Sequence, residues 1–209
     1  MDQNMIKDAL KRLDDLYTRM DLEYEKVSGL YGLTCEGCSD NCCTQRFHHH
    51  TLAEYLFLLE GLKAAEPGLQ ETILRRARVV VESYAHELQA GELFKLMCPV
   101  NFNGLCSLYE WRPMICRLHG LPHYFIMPDG SRKAGGGCHK VIEQGRRGEH
   151  ALGGAEKAAP HHGMDRTPFY TALAGIEKDV RESLGNRERF KKTTAQMLME
   201  MSLEVDIEE

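Results

Sequence analysis

A chain of 209 residues, 43% hydrophobic and 27% charged, can bury one real core and still keep a solvated surface. Its formal net charge of -5 and the lack of any basic tract argue against nucleic acid as the main partner. The opening Met1-Asp2-Gln3-Asn4-Met5 has no apolar run, so no secretory leader is read, and Leu52–Leu62 is broken by Glu54 and Glu60 and too short for a membrane span of roughly 20 residues.

The expectation is therefore a cytoplasmic protein with no membrane partner, and the elements can be taken in chain order. Ile6, Leu10, Leu13, Tyr17, Met20, Tyr24 and Val27 recur at steps of three and four, which predicts a helix stopped at Ser28-Gly29. From Leu33 to Phe47 this rhythm is lost and Gly, Asn, Asp and Cys dominate, as in a loop. Thr51-Leu52-Ala53-Glu54 fits a capping box, in which hydroxyl and carboxylate serve the free N–H groups of a helix start. Leu52, Tyr55, Leu56, Leu59 and Leu62 form the apolar side of that helix, and Phe57 and Leu58 widen it.

Glu66-Pro67-Gly68 breaks the chain, and a third helix runs through Leu69, Ile73, Ala77, Val80, Val81, Tyr84 and Leu88 to about Gly91. Residues 92 to 140 lose helical periodicity, and within them His123 to Met127, then Pro128-Asp129-Gly130 and Ser131, predicts a short β-hairpin. Two more helices are expected, one from Thr167-Pro168 to about Leu184 and one over Arg187–Met201 with Phe190, Met197, Leu198 and Met201 inward. The implied organisation is a helical domain over 1–147, a Gly-, Ala- and His-rich linker over 148–164, and a C-terminal helical pair over 165–209 that packs on the same domain or on a partner.

Eight cysteines are the feature that carries chemistry. In the cytosol thiols stay reduced, so clustered cysteines there point to metal or catalysis rather than to disulfides. Cys35, Cys38, Cys42 and Cys43 form C-x2-C-x3-C-C, and a C-x2-C pair can turn both sulfurs onto one ion at about 2.3 Å. The adjacent Cys42 and Cys43 cannot easily share a tetrahedral ion, which leaves open a second site or a shared polynuclear centre. Cys98, Cys106, Cys116 and Cys138 form the second group, with Pro99 after Cys98 as in some iron–sulfur runs. Four and four suits two tetrahedral sites, or one cluster with cysteines to spare.

The run Asn103-Gly104-Leu105-Cys106-Ser107-Leu108-Tyr109-Glu110-Trp111-Arg112-Pro113-Met114-Ile115-Cys116-Arg117 resembles the G-x-C-x-x-Y-x-x-R-P-x-x-C-R block of the YkgJ-type cysteine-cluster family. The upstream C-x2-C-x3-C-C, Cys98-Pro99 and Cys138 fall where that family's other cysteines are expected, so the resemblance covers about Cys35 to Cys138. It implies a zinc- or iron-chelating domain and no particular reaction.

Arg112 and Arg117 are candidate outer donors, because a divalent ion on four thiolates leaves a charge of about -2 that guanidinium N–H groups can offset. A surface ion pair, with Glu110 for example, is the plainer role. His119 and His139 stand near Cys116 and Cys138 and could replace a thiolate, whereas His48, His49 and His50 read as solvated and His161-His162 as weaker candidates still. Gly135-Gly136-Gly137 reads as a flexible turn that lets Cys138 reach its metal.

The spread-out second group and Cys98-Pro99 tip the cofactor towards an iron–sulfur cluster over Zn²⁺. The fold expected is mainly α, with helices around an irregular cysteine-rich core. Three functions compete: a metal protein with a redox role, a zinc-stabilised module offering a helical surface to a protein partner, and a metal-dependent enzyme. For the last, His119, His123 and Glu110 are the nearest acid–base groups, and phosphate-loop, zincin and nucleophile-elbow motifs are missing.

Overall fold

The computed structural model describes residues 3–33, 42–90, 95–146 and 163–205. Cys35, Cys38, Gly91, His161, His162 and most of the 148–164 segment lie outside the described residues. Helices dominate, joined by two small sheets, in agreement with the mainly α expectation. The chain divides into two compact units, each built from two separate stretches: Met1–Asp40 with Met114–Ser183, and Asn41–Pro113 with Leu184–Glu209. The last two helices, grouped as a pair from sequence, fall in different units.

The first unit is organised by α1, Gln3–Tyr31, whose stripe buries Ala9, Leu13, Leu16, Tyr17, Met20, Val27 and Tyr31. This helix runs past Ser28-Gly29 and stops at Gly32, which takes a left-handed φ of 57°. Ser28 is accommodated in the helix with its hydroxyl donating to the Glu25 carbonyl at 3.0 Å, and Gly29 has open space about it. Against α1 packs the short α4, Met114–Leu118.

The predicted hairpin is present as β3, His123–Ile126, antiparallel to β4, Arg132–Gly135. Its turn is closed by the Gly130 N–H on the Met127 carbonyl and by the Ser131 N–H on the Asp129 carboxylate, 2.8 and 2.9 Å. A third strand, β5 at Met164–Asp165, joins β3 in parallel. The helix α5 covers His139–Arg146, and α6, Thr167–Leu184, begins at the expected Thr-Pro and buries Phe169, Leu173, Ile176 and Val180.

The second unit is built on α2, Leu52–Ala64, and α3, Pro67–Ala90. The Thr51 hydroxyl caps α2 by accepting the Glu54 N–H at 3.3 Å, and it donates in turn to the Glu54 carboxylate at 2.7 Å. Because α2 is apolar on most of its circumference, nearly all of it is buried. The last helix, α7 at Thr194–Val205, packs along α3 and α2.

Sequence periodicity started that last helix at Arg187, seven residues early by the observed Thr194 start. The true start is a second capping box: the Thr193 hydroxyl accepts the Gln196 N–H at 3.3 Å, and Gln196 Oε1 accepts the Thr193 N–H at 2.9 Å. Phe190, read as a helical core residue, is buried from a segment outside the helix, its ring 5.7 Å from that of Tyr55.

Candidate metal centre

Within the second unit, four cysteines from three stretches meet on one backbone junction. The chain after Thr44 leads into α2, and Cys42 and Cys43 stand just before it in a 3-10 turn, Cys42–Thr44. Past α3, the Cys98 N–H donates to the Cys43 carbonyl at 2.9 Å. The Asn101 N–H then donates to the Cys98 carbonyl at 3.0 Å, which turns the chain into a hairpin of β1, Asn101–Phe102, and β2, Leu105–Cys106. Its register pairs Asn101 with Cys106. The turn is Asn103-Gly104, both with positive φ, 53° and 88°, as a two-residue hairpin loop with strand-matching twist requires.

These thiols lie close enough to shift one another's acidity. A hydrogen bond from Cys42 lowers the Cys43 thiol to about 6, against the opposing effect of burial and with further help from Asn101. Burial pushes Cys98 up to about 12; the Val100 N–H and the Arg76 charge pull it down, and Cys43 and Cys106 push it further up. Asn101 sits at the centre of the cluster, 3% exposed. Its Oδ1 accepts the Gly104 N–H at 3.1 Å, while its Nδ2 is buried without a hydrogen bond of normal geometry.

In the first unit, Cys116 lies on α4 and Cys138 just ahead of α5. The Cys138 N–H donates to the Gly120 carbonyl at 2.9 Å, and its sulfur lies 3.8 Å from where a Cβ on Gly120 would stand. A Cβ on Gly137 would meet the Gly120 carbonyl oxygen at 2.5 Å, so that glycine serves a close backbone approach. Gly135 lies in β4 under the His123 ring, so only part of the glycine run expected as a flexible turn is a turn at all.

The two arginines singled out from sequence have defined partners. Arg117 is 4% exposed, pairs with Asp21 at 2.5 Å and lies 4.1 Å over the Tyr17 ring. Arg112 folds onto its own turn, donating to the Tyr109 carbonyl at 2.7 Å and lying 3.6 Å over that ring. His119 and His123 are half-buried, and His139 and Glu110 are exposed. His123 directs Nδ1 to the Leu121 carbonyl at 3.2 Å, and burial, with the Arg166 charge, keeps it below the usual histidine range.

The solvated reading of His48–His50 fails for the middle residue. His49 is buried, and its Nε2 meets Thr194 Oγ1 at 3.1 Å; its backbone bridges that of Lys192. Arg76 and Asn101 are the two residues at the thiols that sequence reasoning passed over. The Asn103-Gly104 dipeptide was the available signal for the hairpin that carries Asn101 and Cys106.

Among the described residues, no three Cys, His, Asp or Glu side chains stand in a ligating arrangement. The donors themselves, four thiols on stretches joined by backbone bonds, are of the soft kind that thiophilic cations take. Ligation would require the sulfurs to turn about their Cα–Cβ bonds. No family model, curated protein or solved structure matches this chain.

Proposed function

We propose that this chain is a metal-binding protein that chelates iron, as an iron–sulfur cluster, or zinc through its eight cysteines. The observation that carries this reading is the Cys43–Cys98 backbone bond, which gathers Cys42, Cys43, Cys98 and Cys106 in one unit. Four thiols drawn from three stretches are more than packing asks of small hydrophobes, and the resemblance of the cysteine spacing to the YkgJ-type family accords with the same reading. Cys35, Cys38, Cys116 and Cys138 supply the remaining thiolates, with Arg117 beside Cys116 and Arg112 after Cys106 as outer N–H donors. When bound, iron–sulfur chemistry would supply one-electron transfer, and zinc would add folding energy. Here the protein residues bind, orient and partly shield the sulfurs.

A second reading, a zinc-stabilised module for a protein partner, draws on the apolar exposure beside the thiols: Leu105 in β2 is 76% exposed and Tyr109 57%. Anaerobic purification with metal and sulfide analysis and a visible spectrum tests both. A brown protein with stoichiometric iron and sulfide supports the first reading. A colourless protein loaded with zinc keeps the chelating reading in its zinc form and supports the second. A protein that holds neither metal, and takes up neither when reconstituted under reducing conditions, refutes both.

A further inference from the structure

We propose that the free edge of β4 is a docking strip for the segment Asp206-Ile207-Glu208-Glu209 of a second copy of this chain, which adds to the sheet as a further strand. In the order β4-β3-β5, β4 has a neighbour on one side only. The strip uses none of the cysteines.

The direction of its backbone groups follows from the bonds around β3. The Met127 N–H donates to the Ser131 carbonyl, so the pairs that exchange bonds further along are Phe125 with Lys133 and His123 with Gly135. Tyr124 and Ile126 face the other way: the Tyr124 carbonyl accepts the Arg166 N–H, and the Ile126 N–H donates to Thr167 Oγ1. Their partners Ala134 and Arg132 therefore aim N–H and C=O away from β3, along the open edge. Among the described residues no other backbone takes up these groups, and Arg132, Lys133 and Ala134 are all exposed. The register is unbroken, so neither a bulge nor a proline closes the edge.

Charge selects the occupant. Arg132 lies 3.6 Å over the Tyr124 ring, and among the described residues no carboxylate forms an ion pair with Arg132 or Lys133. The segment 206–209 follows α7, lies outside the described residues and is acidic at every position but Ile207. One antiparallel register matches it to the strip: Ile207 opposite Ala134, Glu208 opposite Lys133 and Glu209 opposite Arg132. A shift of one residue either way keeps only one of the two charge pairs. In that register the backbones of Ile207 and Glu209 meet the free groups of Ala134 and Arg132. The exchange is reciprocal, each copy giving one segment and taking one, which closes a symmetric pair.

Cations on a short edge strand ordinarily keep other strands away, and that is the competing role. Sedimentation velocity over a concentration series separates the two, with reductant and chelator present so that neither thiols nor metal bridge the copies. The full chain should form a dimer that weakens in high salt. Removal of residues 206–209 should abolish it, and Arg132→Glu with Lys133→Glu should weaken it about tenfold or more. Adding Glu208→Lys and Glu209→Lys to that pair should restore it, which a general change in surface charge would not do. The shortened chain keeps the edge and the edge-reversed chain keeps the segment, so a mixture of the two should associate more strongly than either alone. A parent chain that stays monomeric overturns the proposal. A dimer that survives removal of 206–209, or that the exchanged charges fail to restore, overturns it equally, and none of these results bears on metal binding.

Discussion

Acidification should strip the second unit of stability through one residue, His49. This imidazole is 2% exposed, hydrogen-bonded to Thr194 through Nε2, and flanked by the reciprocal backbone bonds to Lys192 at 2.7 and 3.0 Å. Burial, assisted by the charges of His50 and His48, lowers it to about 4, whereas the unfolded chain protonates near 6.5. Between those values the unfolded state binds a proton that the native state refuses. Stability is therefore complete above pH 6.5, falls as the pH drops from there, and stops falling through this group near pH 4. At about 1.36 kcal/mol per pH decade the whole window corresponds to about 3 kcal/mol, a large share of the roughly 5–15 kcal/mol typical of a domain. The assay is urea unfolding followed by far-UV circular dichroism at pH 7 and pH 4.5, with chelator present so that metal loss does not intrude. His49→Gln keeps a polar partner for Thr194 and cannot charge, so the parent chain should lose about 2–3 kcal/mol more than the variant between those two pH values. Equal losses in the two proteins would show that His49 is not held neutral by burial.

Two other outcomes follow from the same unit. A Cβ on Gly61 would fall 2.1 Å from Trp111 Cγ and 2.5 Å from Trp111 Cβ, far inside the optimum of about 3.5–4.0 Å. Gly61→Ala should therefore destabilise by about 1–3 kcal/mol despite a helix-propensity gain of about 1 kcal/mol, and in a Trp111→Ala background it should become neutral or stabilising; a chemical-denaturation double-mutant cycle without that coupling would reject the Gly61–Trp111 packing. In the metal-free protein at pH 7, iodoacetamide should label Cys43, lowered to about 6, well before Cys98, raised to about 12. Time-resolved peptide mass spectrometry that finds Cys98 labelled first would contradict the arrangement of the four thiols.

Much of the helical framework was legible because its signals are local. The three- and four-residue steps of α1, the Thr51–Glu54 box and the Thr167-Pro168 start each depend on residues within one or two turns of each other. The missed start of α7 was also local: Thr193 and Gln196 form a box as good as the first, but the apolar Phe190 drew the helix upstream. What could not be read was pairing at a distance. His48, His49 and His50 have the same local surroundings in sequence, and only the bridge to Lys192 makes the middle one buried. Arg76 lies in a helix read for its apolar stripe, and its use depends on a hairpin that returns to it 25 residues later. The cysteines divide in the same manner. Sequence groups Cys42 and Cys43 with Cys35 and Cys38, and groups Cys106 with Cys116, whereas the fold ties Cys43 to Cys98 and assigns Cys106 and Cys116 to different units.

That regrouping bears on how a centre could load. The ties among the ligand-bearing stretches are backbone bonds: Cys98 to Cys43, Asn101 to Cys98, and the β1–β2 ladder with Ser107 on the Val100 carbonyl at 2.8 Å. None of them depends on whether a sulfur is protonated. Metal-free protein therefore already joins the stretches that carry Cys43, Cys98 and Cys106 through their backbones. The opposed shifts of Cys43 and Cys98 belong to that metal-free state: one sulfur is relieved by its neighbour's hydrogen bond, and the other is buried with only the Arg76 charge and one backbone N–H in its favour.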